Sequence, residues 1–225
     1  MNEVESELIK KHNSSVIIKR LDPYLTDNRK NRIQAILDAR LKSIQLAIER
    51  PSDINNALAA VRSSEAMGIS TVHIIAPESD AVYARSITQG AVYWVNVIYH
   101  DTLEDFLSAI KSQHIVLVGG SLKAKQPLSS VPIEKPICIM IGNEQRGLSE
   151  QAQAACQIKF QIPMYGMSES LNLSVSAAIS LYDTTTRKRE SLKQQGDLTQ
   201  QERLDQQASY YISSVKPRLI KGLFK

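Results

Sequence analysis

The sequence has few cysteines, no long apolar run and no evident metal-binding pattern. Only 2 of its 225 residues are cysteine, Cys138 and Cys156, and their spacing fits neither a disulfide framework nor a metal site. No apolar stretch approaches the roughly 18 residues of a membrane span. The first residues, MNEVESELIKKHN, are too polar for a signal peptide. We therefore expect a cytoplasmic protein with free thiols, without a metal and without a membrane anchor.

The glycine motifs of common nucleotide-binding enzymes are also missing. Neither G-x-G-x-x-G nor G-x-x-x-x-G-K-[ST] occurs, and Gly119 and Gly120 are followed by SLKAKQPLSS, which does not begin a helix. No pair of acids has the setting of a glycosidase, and the 4 histidines are scattered. These absences disfavour dinucleotide-dependent enzymes, P-loop enzymes, glycosidases and zinc proteins.

The net charge of +4 is distributed unevenly along the chain. Residues 1–50 carry 10 Lys and Arg against 7 Asp and Glu, and residues 187–225 carry 9 against 4. Residues 51–186 carry 8 against 12, so a mildly acidic centre lies between basic ends. This pattern suits a polyanion such as RNA, while ordinary solvated surface lysines remain an equal alternative.

Short apolar runs alternate with amphipathic segments. The runs predict strands over 42–49, 70–76, 92–100, 114–120, 136–144 and 158–164. The segments around them predict helices over 29–41, 51–68, 79–91, 101–113, 149–156, 171–190 and 199–214, while residues 1–28 look irregular. Because the strand residues are continuously apolar rather than alternating, both faces of the sheet are covered. We predict an α/β protein with a mostly parallel sheet flanked by helices.

Three polar clusters follow strands of this sheet. They are Asn56 with Arg62, six residues apart in one helix, IMIGNEQRGLSE over 139–150, and IPMYGMSESLNLS over 162–174. Each has a local interpretation as a helix start, a turn with a surface ion pair, or serine caps. Parallel sheets, however, bind ligands beyond the carboxyl ends of their strands, so the three clusters together indicate one site.

The third cluster runs into the helix predicted over 171–190. Leu171, Val175, Ala178, Ile179 and Tyr182 share one face of that helix. Serines and asparagines crowd its first turns, in greater number than a helix cap needs. We therefore expect the polar residues at this helix start to have a function in addition to capping.

The three clusters resemble the motifs of SpoU/TrmH-type RNA 2′-O-ribose methyltransferases of the SPOUT superfamily. The family pattern of an Asn followed six residues later by an Arg matches NALAAVR, starting at Asn56. The patterns Gly-x-Glu-x-x-Gly-(Leu/Ile/Val)-Ser/Thr and Ile-Pro-Met-x-Gly-x-x-x-Ser-Leu-Asn-x-Ser match GNEQRGLS and IPMYGMSESLNLS. The resemblance covers about residues 29–190.

The resemblance implies a C-terminal trefoil knot, a homodimer, and an active site at the subunit junction. It divides the chain into an N-terminal extension with a basic helix over 1–41, a SPOUT methyltransferase catalytic domain over 42–190, and a basic C-terminal helical extension over 191–225. It also implies S-adenosylmethionine as the cofactor. The backbone around Gly119, Gly142, Ile162 and Leu171 would line the cofactor pocket.

The resemblance makes Arg62 the central catalytic residue, acting as the base on the ribose 2′-hydroxyl. Because arginine stays protonated at neutral pH, Arg62 could instead stabilise the developing alkoxide or bind the adjacent phosphate. Asn56, Glu144, Ser170 and Asn172 would orient Arg62, the ribose and the loops. Glu144 also has a purely structural interpretation, in which it orders the loop.

The layout is most similar to the family members that methylate the D-loop guanosine at position 18 of tRNA. Residues 1–28 are extra, and the family's Pro-His-Asn and Arg-Thr-x-Asp are replaced by Ile54-Asn55-Asn56 and Arg62-Ser63-Ser64-Glu65. A ribosomal RNA 2′-O-methyltransferase and an inactive RNA-binding relative are the alternatives. A nucleotide-dependent metabolic enzyme is disfavoured by the missing phosphate-binding glycines. The basic C-terminal helix could contact RNA or the other subunit.

Overall fold

The computed structural model describes residues 8–9, 11–76 and 90–224. The described residues form two compact units. One is built from the two ends of the chain, up to Arg40 and from Gln195 onward, and the other is Leu41–Gln194. The helix predicted over 79–91 lies almost wholly outside the described residues.

The unit Leu41–Gln194 contains a seven-stranded sheet in which every pair of neighbouring strands is parallel. The strands are β1 (Ile44–Glu49), β2 (Thr71–Ile75), β3 (Asn96–His100), β4 (Val116–Gly120), β5 (Gln126–Pro127), β6 (Ile137–Ile141) and β7 (Ile158–Gln161). Their order is β3-β2-β1-β6-β4-β7-β5. The predicted α/β class with a parallel sheet is confirmed. β5 was not predicted, because two residues paired only with β7 leave no apolar run to detect.

Eight α-helices surround the strands or form the second unit, counting only the described residues. They are α1 (Ser14–Leu21), α2 (Asp27–Asp38), α3 (Ile54–Ala66), α4 (Leu103–Lys111), α5 (Glu150–Ala155), α6 (Leu173–Leu192), α7 (Gln200–Ser213) and α8 (Pro217–Leu223). The side chains of Asp53, Thr102 and Ser149 each accept a hydrogen bond from a backbone amide in the first turn of α3, α4 and α5. A capping box of Thr199 and Glu202 begins α7.

The central strands are buried on both faces. Every residue of β1 and β6 is buried. Alternate residues of β1 point to opposite sides, so Leu46 belongs to the core cluster that contains Val61, and Ala47 to the cluster that contains Phe106. Helices therefore cover the sheet on both sides, as the continuous apolar runs predicted.

Helix α6 buries a different face from the apolar one seen in the sequence. Its buried residues include Leu173, Ala177, Ser180, Leu181 and Thr184. The hydroxyl of Thr184 donates to the carbonyl of Ser180, so this polar side chain is satisfied within the helix. Small and hydroxyl-bearing residues allow α6 to pack closely on α3.

Several predicted strands are too long. The segment predicted as a strand from residue 92 begins with a 3₁₀ turn, Ala91–Tyr93, which follows Gly90 with its left-handed φ of 85°, so β3 starts only at Asn96. The strands predicted to reach residues 144 and 164 end at Ile141 and Gln161. At these ends the chain leaves the sheet and forms the candidate site.

The unit built from the chain ends is helical, and the prediction that residues 1–28 are irregular is wrong. Helix α1 is capped by the side chain of Asn13, and its Ile17 and Leu21 are buried. Both α1 and α2 pack against α7. The tail beyond α7 also forms a helix, α8, which begins with Pro217 and buries Ile220. Arg20 of α1 donates a hydrogen bond to the carbonyl of Leu223 at the end of α8.

None of the helices in the described part of the chain combines the length and the apolarity of a membrane span. Within the same residues, no three His, Cys, Asp or Glu side chains are grouped so that they could hold a metal ion.

Candidate active site

A cavity of about 380 Å³ lies beyond the carboxyl ends of β4, β6 and β7. It is lined by residues 120–123, 141–148, 160–162 and 169–171, together with a few neighbours. Its volume is in the range of small-molecule sites. Three of the four predicted cofactor residues, Gly142, Ile162 and Leu171, line this cavity. Gly119 does not line it, whereas the next residue, Gly120, does.

Glycine at position 142 is required by a close backbone approach. A Cβ atom there would lie 2.2 Å from the carbonyl carbon of Gly147 and 2.2 Å from the nitrogen of Leu148. Asn143 and Gly147 exchange two backbone hydrogen bonds, and Gly147 has a left-handed φ of 68°. The chain therefore doubles back directly after β6, and a side chain at position 142 would separate the two segments.

Gly119 supports the cavity from behind. A Cβ atom at this position would come within 2.8 Å of the sulfur of Cys156 and 3.0 Å of Leu148. Cys156 and Cys138 are free and buried, and burial raises the pKa of the Cys156 thiol to about 11. A protonated thiol at neutral pH acts here as a small apolar group that packs against the glycine.

The side chain of Asn143 fixes the turn that follows β6. Its Oδ1 accepts hydrogen bonds from the backbone amides of Gln145 (2.9 Å) and Arg146 (3.1 Å). Its Nδ2 donates to the carbonyl of Arg50, just beyond β1 (2.8 Å). The turn is thereby attached to the neighbouring strand, and the directions of the side chains that follow Asn143 are set.

A hydrogen-bonded chain joins the three sequence clusters. The amide nitrogen of Asn56 donates to Glu144 Oε1 (2.8 Å), and the amide nitrogen of Asn172 donates to Asn56 Oδ1 (3.1 Å). The backbone amide of Ser52 donates to Glu144 Oε2 (2.9 Å). An ionised carboxylate can only accept hydrogen bonds. Asn56 must therefore turn its Nδ2 towards Glu144, which leaves its Oδ1 facing Asn172. The structure thus brings together Asn56, Glu144 and Asn172.

Asn172 has a second role as the cap of α6. Its Oδ1 accepts hydrogen bonds from the amide and from the hydroxyl of Ser174 (2.8 and 2.6 Å). The same side chain therefore starts α6 and connects it to α3 through Asn56. Ser170, two residues earlier, is exposed and lines the cavity. The start of α6 therefore does more than cap the helix: Asn172 connects it to α3, and Ser170 lines the cavity.

The Glu144 carboxylate is stabilised in its ionised form. Partial burial raises its pKa, but the hydrogen bonds from Ser52 and Asn56 outweigh burial, so the pKa lies below the ordinary value for glutamate. The group is therefore a fixed anion at neutral pH. A carboxylate held in this way is suited to positioning its neighbours rather than to accepting a proton.

Arg62 lies apart from this chain of contacts. The six residues from Asn56 to Arg62 turn α3 by about 600°, which places the two side chains at different azimuths. Arg62 is exposed, it does not line the cavity, and its guanidinium has no hydrogen-bond or ion-pair partner among the residues that the structure describes. In the single chain, Arg62, which was predicted to be the central catalytic residue, therefore lies apart from the connected residues Asn56, Glu144 and Asn172.

The sequence interpretation missed other residues that build the site. Buried Glu49, at the end of β1, accepts hydrogen bonds from the hydroxyl and the backbone amide of Ser149 (2.6 and 2.8 Å), which anchors the start of α5. A glutamate at the end of a mostly apolar strand was the available signal. Asn143 and the cavity-lining cation Lys123 were also missed, and Arg146 was considered only as the partner of Glu144 in a surface ion pair.

Comparisons with known proteins identify the family of this chain. The model of the SpoU rRNA Methylase family matches residues 43–182. A tRNA (guanosine(18)-2′-O)-methyltransferase from Borreliella burgdorferi is 31% identical over 172 residues, covering 76% of this chain and 79% of the relative. The enzyme of the same description from Escherichia coli K12 is 29% identical, covering 71% of this chain and 70% of the relative.

Solved structures show the same similarity. A TrmH/SpoU tRNA modifying enzyme from A. aeolicus superposes with a TM-score of 0.69 at 26% identity, covering 89% of this chain and 99% of that one. The SpoU methyltransferase AviRb from Streptomyces viridochromogenes, in complex with the cofactor AdoMet, gives a TM-score of 0.57 at 26% identity, covering 68% and 59%. The predicted resemblance is confirmed: this chain belongs to the SpoU rRNA Methylase family.

Proposed function

We propose that the protein is an S-adenosylmethionine-dependent tRNA (guanosine-18-2′-O)-methyltransferase of the cytoplasm. The observation that carries the proposal is the chain Glu144–Asn56–Asn172, which joins the three family motifs at the edge of one cavity. The relatives named for this activity support the choice of tRNA. We assign catalysis to residues 42–190 and further RNA contacts to 1–41 and 191–225.

The cavity fits the proposed cofactor. Phe160, Ile162, Leu171 and Leu173 give it apolar walls, and Gly142 brings the backbone close. Such walls suit an adenine ring, and backbone groups near Gly142, Ile162 and Leu171 would hold its polar edge. When bound, S-adenosylmethionine supplies a methyl group on a sulfonium. The protein's part is to hold the ribose 2′-hydroxyl in line with that methyl group.

Arg62 is proposed to act on the 2′-hydroxyl. The exposed guanidinium favours an electrostatic role over the role of a base, because a protonated arginine stabilises an alkoxide or binds a phosphate. Asn56 and Asn172 would position the ribose, with Glu144 fixing Asn56 and Ser170 lining the cofactor side.

We further propose a homodimer in which α6 contacts a second copy of the chain. Val175, Ile179 and Tyr182 on its outer face are 43, 38 and 63% exposed, although they form the apolar face noted in the sequence. A row of exposed apolar side chains marks an interaction surface. Since α3 packs on α6, a dimer formed there would bring Arg62 to the subunit junction.

The trefoil knot is part of the same proposal. Its support is the strand order, in which β6 and β7 lie on opposite sides of β4. After β7 the chain returns across the sheet, and α6 packs against β1, β6 and α3. The similarity to the A. aeolicus enzyme, which covers 89% of this chain, is consistent with that path.

The test is methyl transfer from methyl-labelled S-adenosylmethionine to unmodified tRNA and, separately, to ribosomal RNA. We expect label on the 2′-oxygen of tRNA guanosine 18. Arg62→Ala should lower the rate at least about 100-fold while tRNA binding is kept, and the control Lys111→Gln, an exposed cation on α4, should change neither.

Other outcomes of this test would replace the proposal. Label on ribosomal RNA alone would make the protein an rRNA enzyme. No label on either RNA, with cofactor binding intact, would favour the inactive relative. Full activity in Arg62→Ala would remove Arg62 from the catalytic assignment.

A further inference from the structure

Two cations lie at the opening of the cavity, and the mechanism above does not use them. Arg146 lies in the turn after β6, and Lys123 lies in the segment after β4. Both line the cavity, and both are exposed. Among the residues that the structure describes, neither side chain has a hydrogen-bond or ion-pair partner. Two segments that are distant in sequence therefore direct positive charge to the same opening.

The backbone that carries Arg146 is fixed. Its amide donates to Asn143 Oδ1, and Asn143 and Gly147 are paired on either side of it. Within this turn the carboxylate of Glu144 accepts hydrogen bonds from Asn56 of α3 and from the backbone of Ser52, just before that helix. Arg146, two residues further on, is left beside the cavity. A rigid turn that presents a free guanidinium limits the loss of entropy when an anion binds.

The exposed charges at the opening leave a positive excess for an anionic ligand. Two carboxylates, Glu144 and Glu169, also line the cavity, but Glu144 is held by hydrogen bonds from Asn56 and Ser52, so the exposed Glu169 stands against the two exposed cations Lys123 and Arg146. The floor is formed by buried residues such as Ile141 and Phe160, while Lys123 and Arg146 face solvent. The anion therefore approaches from outside the cavity. A ribose in RNA is flanked by phosphates, and arginine binds phosphate oxygens in a bidentate manner.

We propose that Arg146, assisted by Lys123, binds a phosphate of the RNA backbone next to the ribose that is methylated. The inference rests on the proposed function, because it requires an RNA ribose to reach the opening of the cofactor cavity. It adds two substrate-binding residues that line the cofactor cavity of the same chain, whereas Arg62 does not line that cavity. The phosphate contact would fix the height of the 2′-hydroxyl above the cavity floor.

The experiment compares Arg146→Gln, Lys123→Gln, the double variant and Arg146→Lys with the control Lys111→Gln. We expect Arg146→Gln to raise the KM for tRNA roughly tenfold and to lower the slope of log binding constant against log salt by about 1. The double variant should lower the slope by about 2. Arg146→Lys should keep the slope, and the Kd of S-adenosylmethionine measured without RNA should not change.

Two results would overturn the inference. A weaker Kd for S-adenosylmethionine in Arg146→Gln would assign the residue to the cofactor. An unchanged salt slope would remove Arg146 from RNA contact. If the wild-type protein transfers no methyl group to tRNA, the proposed function fails, but the salt dependence of tRNA binding still decides the role of Arg146.

Discussion

Two histidines form a buried polar cluster inside the sheet. His73 Nδ1 lies 2.9 Å from Nε2 of His100, and His73 Nε2 lies 2.9 Å from Oε1 of Gln45. Phe106 packs edge-on against both rings. Burial, and then the nearby His100, lower the pKa of His73 to about 4. Burial also lowers the pKa of His100, against the charge of Asp105.

This cluster predicts loss of stability in mild acid. Because the folded protein takes up the His73 proton only near pH 4 and the unfolded chain does so near about 6.5, the unfolding free energy should fall as the pH drops through this window. The expected loss is about 1 kcal/mol per pH unit below 6. It can be measured by urea unfolding at pH 7.5 and 5.5, followed by the fluorescence of Trp94, the single tryptophan.

The variant His73→Gln should show a smaller difference between the two pH values, whatever its stability at pH 7.5. The control His114→Asn, at an exposed histidine with a left-handed φ of 53°, should keep the wild-type difference. A wild-type protein that is equally stable at both pH values would contradict the prediction.

At this scale the sequence identified residues better than their connections. The motif match singled out Asn56, Glu144 and Asn172, but which of them touch depends on distances between segments that are up to 116 residues apart. The partners of Glu49 and His73 could not be identified from the sequence, because Ser149, His100 and Gln45 lie on other elements. Their partners are supplied only by the register and the helix positions of the folded sheet.

The cations of the C-terminal segment differ in what they contact. Arg187, Lys188 and Arg189, near the end of α6, are engaged by backbone. They donate hydrogen bonds to the carbonyl groups of Leu128, Val131, Ile133, Glu134 and Met67. Three further cations in and before α8 are exposed and have no partner in the described part of the chain: Lys216, Arg218 and Lys221. Within the C-terminal segment, α8 therefore presents three cations together that can contact RNA.

Neutralising α8 should weaken tRNA binding. In a variant with Lys216→Gln, Arg218→Gln and Lys221→Gln, we expect a higher Kd for tRNA and a salt slope reduced by up to about 3. Binding of S-adenosylmethionine should be unchanged. Filter binding at several salt concentrations measures both the Kd for tRNA and its salt slope.

The matched control for α8 removes three exposed charges elsewhere, by Lys111→Gln, Lys135→Gln and Lys159→Gln. An equal effect of both triple variants would show that only total charge matters. Deleting residues 191–225 is a less specific test, because it also removes the buried Tyr210 and Tyr211 of α7.

Helix prediction succeeded where a cap and a long pattern agreed, as in α3, α6 and α7. It failed for α1 and α8, which have 8 and 7 residues. Helices this short are marginal by themselves, and they form here because Ile17, Leu21 and Ile220 are buried against neighbours. Contacts between the two ends of the chain are not visible in a local pattern.

For the whole molecule, the outer face of α6 predicts the oligomeric state. Ile179→Glu would place a charge in the centre of the proposed contact, so we expect a dimer to become a monomer in light scattering after size exclusion, with methyl transfer lost. Ser108→Glu, which adds the same charge on the exposed side of α4, should leave the mass unchanged. A monomeric wild-type protein, or a dimeric Ile179→Glu variant, would be inconsistent with the proposed interface.

The helical unit is assembled from both ends of the chain, and this has a consequence for synthesis. Helices α1 and α2 leave the ribosome long before α7, against which they pack. Ile17, Leu21, Ile33 and Leu37, all buried in the finished protein, remain uncovered during that interval. The sheet unit can meanwhile fold as a continuous segment. A nascent chain stalled before Gln200 would therefore expose an apolar surface that chaperones recognise.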